Sequence, residues 1–226
     1  MEEADKIHDE IVKEAIRDDE KPKGKGPIIY ILSVFLILLM VLWIIPNYAI
    51  KLDPEPKNIP TIEEVIPPDL VINDSIHKLE SNRDYRLYVT PNDPVVKRIA
   101  SKIATQSCGS NRICQAKAMF YFVRDNFNYV GDPPDEYIET LLESLVSGGS
   151  DCDGHATALA TLEEAIGVNA QLVFIPRHVF VRIKLDEAPK KYKLDDWIYL
   201  DATCKQCEFG EIPYQNKDKR KTFLEV

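Results

Sequence analysis

The chain has 226 residues, of which 45% are hydrophobic and 29% are charged, and its formal net charge is −9. This composition is typical of a globular protein and excludes a largely disordered one. The length is enough for one medium domain with shorter appendages. A negative net charge argues against nucleic-acid binding, which needs a clustered basic surface. We therefore expect no nucleic acid among the partners of this protein.

Residues 1–27 form a highly charged N-terminal segment. Within it, Ile7, Ile11, Val12 and Ile16 recur at helical spacing. That spacing predicts a short amphipathic helix in a charged tail.

An uncharged apolar run of eighteen residues follows, from Ile28 to Ile45. As a helix it would extend roughly 27 Å, which is close to the hydrocarbon thickness of a bilayer. Tyr30 near one end, and Trp43 with Tyr48 near the other, have the positions of interfacial aromatic residues. A secretory signal peptide is the alternative, but it would have a shorter apolar region and a small-x-small cleavage site. We place a transmembrane helix, embedded in the lipid bilayer, at residues 28–46.

The lysines on either side of this run predict its orientation. Lys21, Lys23 and Lys25 precede it, whereas Lys51 and Lys57 are the nearest lysines after it. Positive charge resists translocation across a membrane. We therefore expect a single-pass membrane protein with residues 1–27 in the cytoplasm and the C-terminal domain outside.

A proline-rich segment follows the apolar run. It contains five prolines within fifteen residues: Pro54, Pro56, Pro60, Pro67 and Pro68. Proline at this density interrupts regular structure. We predict a semi-extended stalk over residues 47–76 and a folded domain over residues 77–226.

In this outer domain, helices come first and strands follow. Asp93 can cap a helix and Pro94 suits its first turn, so the first helix should run to about Gln106. Apolar periodicity predicts three more helices, over residues 115–127, 137–146 and 152–166. Strands are expected at residues 171–175, 178–185 and 197–201. This order predicts an α+β fold in which helices pack on an antiparallel sheet.

The five cysteines fall into two local pairs and one isolated residue. The pairs are Cys108 with Cys114 and Cys204 with Cys207, and Cys152 stands alone between them. This arrangement predicts two structural units and one free thiol. In an oxidising exterior the two pairs should be disulfides.

Cys152 has the position of an activated thiol. It heads the predicted helix 152–166, where its sulfur would meet the positive end of the helix and unpaired backbone N–H groups. Asp151 and Asp153 oppose this effect by disfavouring the thiolate. A histidine partner would have to outweigh them.

His178 is the histidine best placed to be that partner. It begins one predicted strand and Asp201 ends the next, so strand pairing could bring the imidazole and the carboxylate together, as in a catalytic triad. By contrast, His8 precedes the apolar run and nothing in the sequence positions His77. His155 lies one helical turn from Cys152 but lacks an obvious orienting acid, so we expect it to point to solvent or to a neighbouring carboxylate.

Zinc binding is the alternative role for these residues. A four-thiolate site could use both cysteine pairs, because Cys-x-x-Cys is common in such sites. A second version would combine Cys152, His155, Cys204 and Cys207, and it would compete with the triad for Cys152.

Four segments resemble the corresponding parts of transglutaminase-like domains. The run Gly-Gly-Ser-Asp-Cys152-Asp-Gly-His-Ala, with a small-residue helix after it, is similar to the nucleophile segment of that family. His178-Val-Phe-Val resembles its histidine strand, and Trp197-Ile-Tyr-Leu-Asp201-Ala-Thr resembles its aspartate strand. Residues 118–129 are similar to the helix that precedes the nucleophile. The resemblance covers about residues 93–210.

The resemblance implies a papain-like α+β core and acyl transfer through a thioester, with no cofactor and no metal. Cys152 would be the nucleophile, His178 the general base and then the acid, and Asp201 the group that orients the imidazole. The N–H of Cys152 could serve an oxyanion hole. The substrate would be a peptide or protein, which is hydrolysed or transamidated. A non-catalytic binding or scaffolding module of the same fold is the competing interpretation.

Overall fold

The computed structural model describes residues 2–19, 26–68, 70, 82–131 and 137–226. It divides into two compact units, residues 1–48 and residues 49–226, each of which is described by itself. Three parts of the predictions lie outside the described residues: the three lysines before the apolar run, the end of the predicted stalk at residues 71–76, and His77.

Helices dominate the N-terminal part of the chain. Helix α1 spans Glu2–Asp19 and helix α2 spans Pro27–Leu52. Among the described residues, α2 is the one helix that is long and apolar enough to cross a membrane, over Pro27–Ile45, and none of that stretch is buried in the protein. Its length and composition fit a membrane span or a signal sequence. Helix α2 continues through Pro46 to Leu52, so the stalk predicted from residue 47 begins as helix.

The second unit combines helices with two sheets. Its helices are α3 (Ile62–Val65), α4 (Pro94–Ser107), α5 (Arg112–Asn126), α6 (Leu141–Ser147), α7 (Cys152–Ala165) and α8 (Tyr214–Lys217), with 3-10 turns at Asn82–Leu87 and Lys190–Tyr192. Its strands are β1 (Asn128–Tyr129), β2 (Gly149–Ser150), β3 (Asn169–Ile175), β4 (His178–Lys184), β5 (Lys193–Leu194), β6 (Trp197–Leu200) and β7 (Thr222–Glu225).

The main sheet has five strands in the order β5-β6-β4-β3-β7, and every neighbouring pair is antiparallel. Strands β3 and β4 form a hairpin in which Ile175 pairs with His178, and β4 pairs with β6 through Val181 and Leu200. A separate parallel pair joins β1 to β2. The predicted α+β fold, with helices on an antiparallel sheet, is confirmed.

Helix boundaries follow the capping residues. The Asp93 carboxylate accepts hydrogen bonds from the N–H groups of Val95 and Val96, as expected for the start of α4. Helix α6 begins at Leu141, four residues later than predicted. The reason is that Thr140 and Glu143 form a capping box there, in which each side chain satisfies a backbone N–H of the other residue.

Helix α7 lies at the centre of the domain. It packs on β3 and β4 on one side and on α4, α5 and α6 on the other. Two small residues, Ala158 and Ala160, permit this close approach, and they are fully buried, as are Leu159 and Leu162. Burial of each of the two leucines stabilises the fold by about 2 kcal/mol. The packing therefore fixes the position of the first residue of α7, which is Cys152.

The proline-rich segment packs against the domain and is not a free stalk. Pro60, Ile62 and Val65 are buried in it. The N–H of Lys57 donates to the Ser107 carbonyl at 2.9 Å. Prolines interrupt regular structure as expected, but the apolar residues among them provide surface that is more stable when buried. The stalk prediction therefore differs from the structure over residues 53–67.

A buried lysine holds the start of this segment. The Lys117 side chain on α5 has no solvent exposure, and its Nζ lies 2.6 Å from Asp53 Oδ1 and 2.5 Å from Glu55 Oε1. Asp53 also accepts a hydrogen bond from the Tyr192 hydroxyl at 2.8 Å and pairs with Lys191. Burial alone would lower the pKa of Lys117, but the hydrogen bonds to the two carboxylates raise it instead. Lys117 is therefore charged, and its charge is satisfied.

Removal of this lysine should destabilise the domain. We expect Lys117→Met to lower the free energy of unfolding by about 3 kcal/mol, because it breaks a buried ion pair. Lys191→Met is the matched control, since Lys191 binds the same Asp53 but its side chain is 62% exposed. The control should cost less than about 1 kcal/mol. Chemical denaturation of the full chain in a non-ionic detergent measures both, and equal losses would contradict the prediction.

Candidate active site

Cys152 occupies the first position of α7, and the residue before it caps the helix. The Asp151 carboxylate accepts hydrogen bonds from the N–H groups of Asp153 at 3.0 Å and Gly154 at 3.3 Å. In the described part of the chain, no acceptor lies against the Cys152 N–H. Cys152 is the free cysteine and is half-buried. Its N–H is therefore available at the positive end of the helix, while its thiol lies 4.0 Å from Asp151 Oδ2.

Gly154 lets the first turn of α7 approach β2 closely. A Cβ at this position would lie 2.5 Å from the Ser150 Cβ and 2.7 Å from a carboxylate oxygen of Glu139. Those distances are too short for any side chain other than hydrogen. The sequence contains Gly154 within the nucleophile segment, but its steric role depends on contacts that the sequence does not reveal.

His178 and Asp201 meet through the pairing of β4 with β6. His178 is the first residue of β4, and Asp201 follows the last residue of β6. The His178 Nε2 lies 2.8 Å from the Asp201 Oδ2. Asp201 is fully buried, whereas 17% of the His178 side chain is exposed. The structure therefore brings these two predicted residues together.

Thr203 holds the other oxygen of the same carboxylate. Its hydroxyl donates to Asp201 Oδ1 at 2.6 Å, and its N–H donates to that oxygen at 3.2 Å. Both oxygens of Asp201 therefore have partners, which fixes the carboxylate plane toward His178. Sequence reasoning assigned Thr203 no role. The available signal was its position two residues after an aspartate, where local hydrogen bonds of this kind are common.

Cys152 also interacts with this imidazole. Burial alone would lower the pKa of His178, but its hydrogen bonds to Asp201 and Cys152 raise it to about 9. Because Nε2 binds Asp201, Nδ1 is the ring nitrogen left for the thiol. The imidazole, with a pKa of about 9, is therefore charged at neutral pH and interacts with both a carboxylate and a thiol.

His155 has a different environment from the one expected. We predicted that it points to solvent or to a carboxylate, but only 1% of it is exposed. Its Nδ1 lies 2.7 Å from the Asp151 carbonyl oxygen, and its ring packs against Phe127 at 5.7 Å. Burial lowers the pKa of His155, so the ring is neutral and donates to that carbonyl. The prediction was wrong because the first turn of α7 faces the interior next to β2.

The paired cysteines are disulfides, as predicted. Cys108 is bonded to Cys114, and Cys204 to Cys207. Neither zinc arrangement is compatible with these bonds, because each requires thiolates that the disulfides consume. The first disulfide joins the end of α4 to the first turn of α5. The second closes a short loop directly after the segment that carries Asp201.

The thiol and the two acidic residues beside it form another possible set of metal ligands. Asp151, Cys152 and Asp153 are the one such group among the described residues. Both carboxylates already have hydrogen-bond partners. Asp151 caps α7, and Asp153 accepts a hydrogen bond from the Tyr85 hydroxyl at 3.1 Å. These contacts account for the two acidic residues as structural groups.

Comparison with protein-family models gives the same family that the sequence motifs resemble. Residues 97–202 match the model of the transglutaminase-like superfamily, and this range contains Cys152, His178 and Asp201. Residues 97–202 are therefore a transglutaminase-like domain. No curated protein matches the chain.

Solved structures of Legionella pneumophila LapG are also similar to this chain. The calcium-bound form has 14% sequence identity and a TM-score of 0.39, covering 74% of this chain and 88% of that one. The EGTA-treated form gives the same identity and TM-score, covering 74% and 87%. The assignment of the domain rests on the family match and not on this similarity.

The pKa of His178 provides a direct test of the site geometry. We expect its imidazole to titrate near pH 9 in the native chain. Asp201→Asn should move the midpoint toward the usual value of about 6.5, because the carboxylate that stabilises the imidazolium is lost. NMR of the imidazole Cε1 proton measures both midpoints, and comparison with His178→Gln assigns the resonance. An unchanged midpoint in Asp201→Asn would contradict the arrangement.

The same pKa predicts the sign of a pH effect on stability. A pKa that is raised in the folded state contributes stability below the unfolded value of about 6.5, and this contribution is lost as the pH rises through about 9. The difference in unfolding free energy between the native chain and Asp201→Asn should therefore be larger at pH 6 than at pH 10.

Proposed function

We propose that Cys152, His178 and Asp201 form a catalytic triad for thiol-dependent acyl transfer on peptide or protein substrates. The observation that carries this proposal is the environment of His178, whose Nε2 lies 2.8 Å from Asp201 Oδ2 and whose pKa is raised by interactions with Asp201 and Cys152. A protonated imidazole beside a thiol stabilises the thiolate, which is the nucleophilic form of cysteine. The family match at residues 97–202 supports a thiol-dependent enzyme.

The proposed reaction proceeds in two steps. The Cys152 thiolate attacks the carbonyl carbon of an amide, and the resulting oxyanion can accept a hydrogen bond from the Cys152 N–H. Collapse of this intermediate breaks the C–N bond, and His178 gives its proton to the leaving amine. The product is a thioester on Cys152. Water or a second amine then attacks the thioester, with His178 as the general base.

Asp201 would orient the imidazole throughout the reaction. Its carboxylate, fixed by Thr203, binds Nε2 and keeps Nδ1 directed at the sulfur. It also stabilises the positive charge that His178 carries in the resting state and regains in the second step. Replacement by asparagine would preserve the shape of the group but remove this charge.

Thiol labelling tests the proposal without knowledge of the substrate. At pH 6 an ordinary thiol, with a pKa of about 8.5, is almost entirely protonated and reacts slowly with iodoacetamide. Cys152 should react at least about tenfold faster than glutathione at this pH, because an imidazolium next to a thiol favours its nucleophilic form. Mass spectrometry measures the label, and the four disulfide-bonded cysteines do not compete.

Two variants control this measurement. Asp201→Asn should slow the labelling of Cys152 several-fold while the fold is retained, and Cys152→Ala should abolish labelling. A Cys152 that reacts no faster than glutathione at pH 6 would sink the catalytic proposal and favour a non-catalytic module of the same fold.

The apolar stretch in the N-terminal part of the chain bears on where the protein is located. We infer that residues 28–46 span a bilayer, with residues 1–27 in the cytoplasm and the transglutaminase-like domain outside. This is supported by the uncharged, unburied stretch Pro27–Ile45 and by the excess of lysines before it. The two disulfides are consistent with an oxidising exterior.

Protease treatment of intact cells tests this topology. With an epitope at each end of the chain, added protease should remove the C-terminal epitope and leave the N-terminal one, because only the domain would be outside. A protected C-terminal epitope would reverse the orientation. A mature chain that lacks the N-terminal epitope before any protease is added would identify the apolar helix as a cleaved signal sequence.

A further inference from the structure

A broad groove of about 1580 Å³ opens beside the proposed triad. His178 and Asp201 line one part of it. The remaining walls come mainly from residues 191–194, 203–207 and 210–219. Cys152 is not among the lining residues, so the groove lies on the imidazole side of the Cys152–His178 pair. A substrate that occupies it would extend away from the thiol past His178.

Positive charge is concentrated along this groove. The whole chain has 28 Lys and Arg against 37 Asp and Glu. The groove reverses this ratio, with three acidic residues, one of which is the buried Asp201, and six cationic ones. The six are Arg177, Lys191, Lys193, Lys205, Lys217 and Lys219.

Several of these cations are bound to neutral groups and keep their charge available. The Lys193 ammonium donates to the Asp186 carbonyl oxygen at 2.8 Å, and the Lys219 ammonium donates to the Asn216 side-chain oxygen at 2.9 Å. Lys205 also binds backbone carbonyls, but it interacts with the Asp125 carboxylate as well. Lys191 pairs with Asp53. The groove therefore presents positive charge that the contacts of Lys193 and Lys219 leave uncompensated.

We propose that this groove selects substrates with an acidic segment beside the bond that reacts at Cys152. This inference rests on the proposed function and adds a substrate class to it. Walls of one charge raise the local concentration of oppositely charged ligands and favour their binding over others. A peptide fits better than a nucleic acid, because His178 lines the same groove and the proposed reaction acts on an amide.

Peptide binding to the full chain carrying Cys152→Ala tests the proposal. Two fluorescein-labelled decapeptides serve as probes, one of alternating Glu and Ala and one of alternating Lys and Ala, with the protein in a non-ionic detergent. By fluorescence anisotropy, the acidic peptide should bind at least about tenfold more tightly than the basic one at low salt. Its affinity should fall at 0.5 M salt, where the screening length is about 4 Å.

Charge reversal locates the binding surface. Lys217→Glu with Lys219→Glu changes two residues that line the groove and leaves the three triad residues unchanged. This pair should weaken binding of the acidic peptide by about tenfold. The matched control is Lys97→Glu with Lys184→Glu, two exposed lysines that do not line the groove. It changes the net charge equally and should alter the affinity by less than about twofold.

The possible outcomes separate this inference from the proposed function. Equal binding of the two peptides, or equal losses in the two variant pairs, would overturn the proposal that the groove selects acidic substrates. So would an oligothymidylate of equal charge that binds as tightly as the peptide. Thiol labelling of Cys152 is measured independently. Charge-selective binding without accelerated labelling would support the groove's preference for acidic peptides and overturn the catalytic proposal. Accelerated labelling without charge-selective binding would support the catalytic proposal and overturn that preference.

Discussion

The burial of α7 between the sheet and the other helices is the constraint on which the site depends. The helix contacts β3 and β4 through small side chains, and Gly154 brings its first turn against β2. A helix held on all sides in this way cannot shift without opening the core, because interiors are close-packed. The position of Cys152 is therefore determined by the packing of the whole domain. The position of His178 follows from the same contacts, since β4 packs directly on α7.

Local sequence signals predicted most of the fold. Helices α4, α5 and α7 and strands β3, β4 and β6 were each predicted within three residues of their observed bounds, because periodicity and caps act over short distances. Strand β7, at Thr222–Glu225, was not predicted, since it exists through pairing with β3, about fifty residues earlier. The two-residue strands β1 and β2 are too short to show a period. The supposed stalk was misinterpreted because proline content does not reveal burial.

The site was predicted in part, and the missing part is the set of contacts around its main residues. The order of three motifs selected Cys152, His178 and Asp201 as candidate catalytic residues. The sequence suggested that the acidic residues beside the thiol would disfavour a thiolate. In the structure, Asp151 Oδ1 is bound to helix N–H groups and Asp153 to a tyrosine hydroxyl, while Asp151 Oδ2 lies 4.0 Å from the Cys152 sulfur. Such partners belong to tertiary structure and leave no local pattern in the sequence.

The spacing of the cysteines has a consequence for how the chain acquires its disulfides. The bonded cysteines are separated by only six and three residues, whereas Cys152 is 38 residues from Cys114 and 52 from Cys204. Each doubling of a flexible loop adds about 0.6 kcal/mol to the entropic cost of closing it. During oxidation of the unfolded chain, each local pair therefore closes more readily than any bond to Cys152. Short-range pairing thus protects the proposed nucleophile from being trapped in the wrong disulfide before the domain has folded around it.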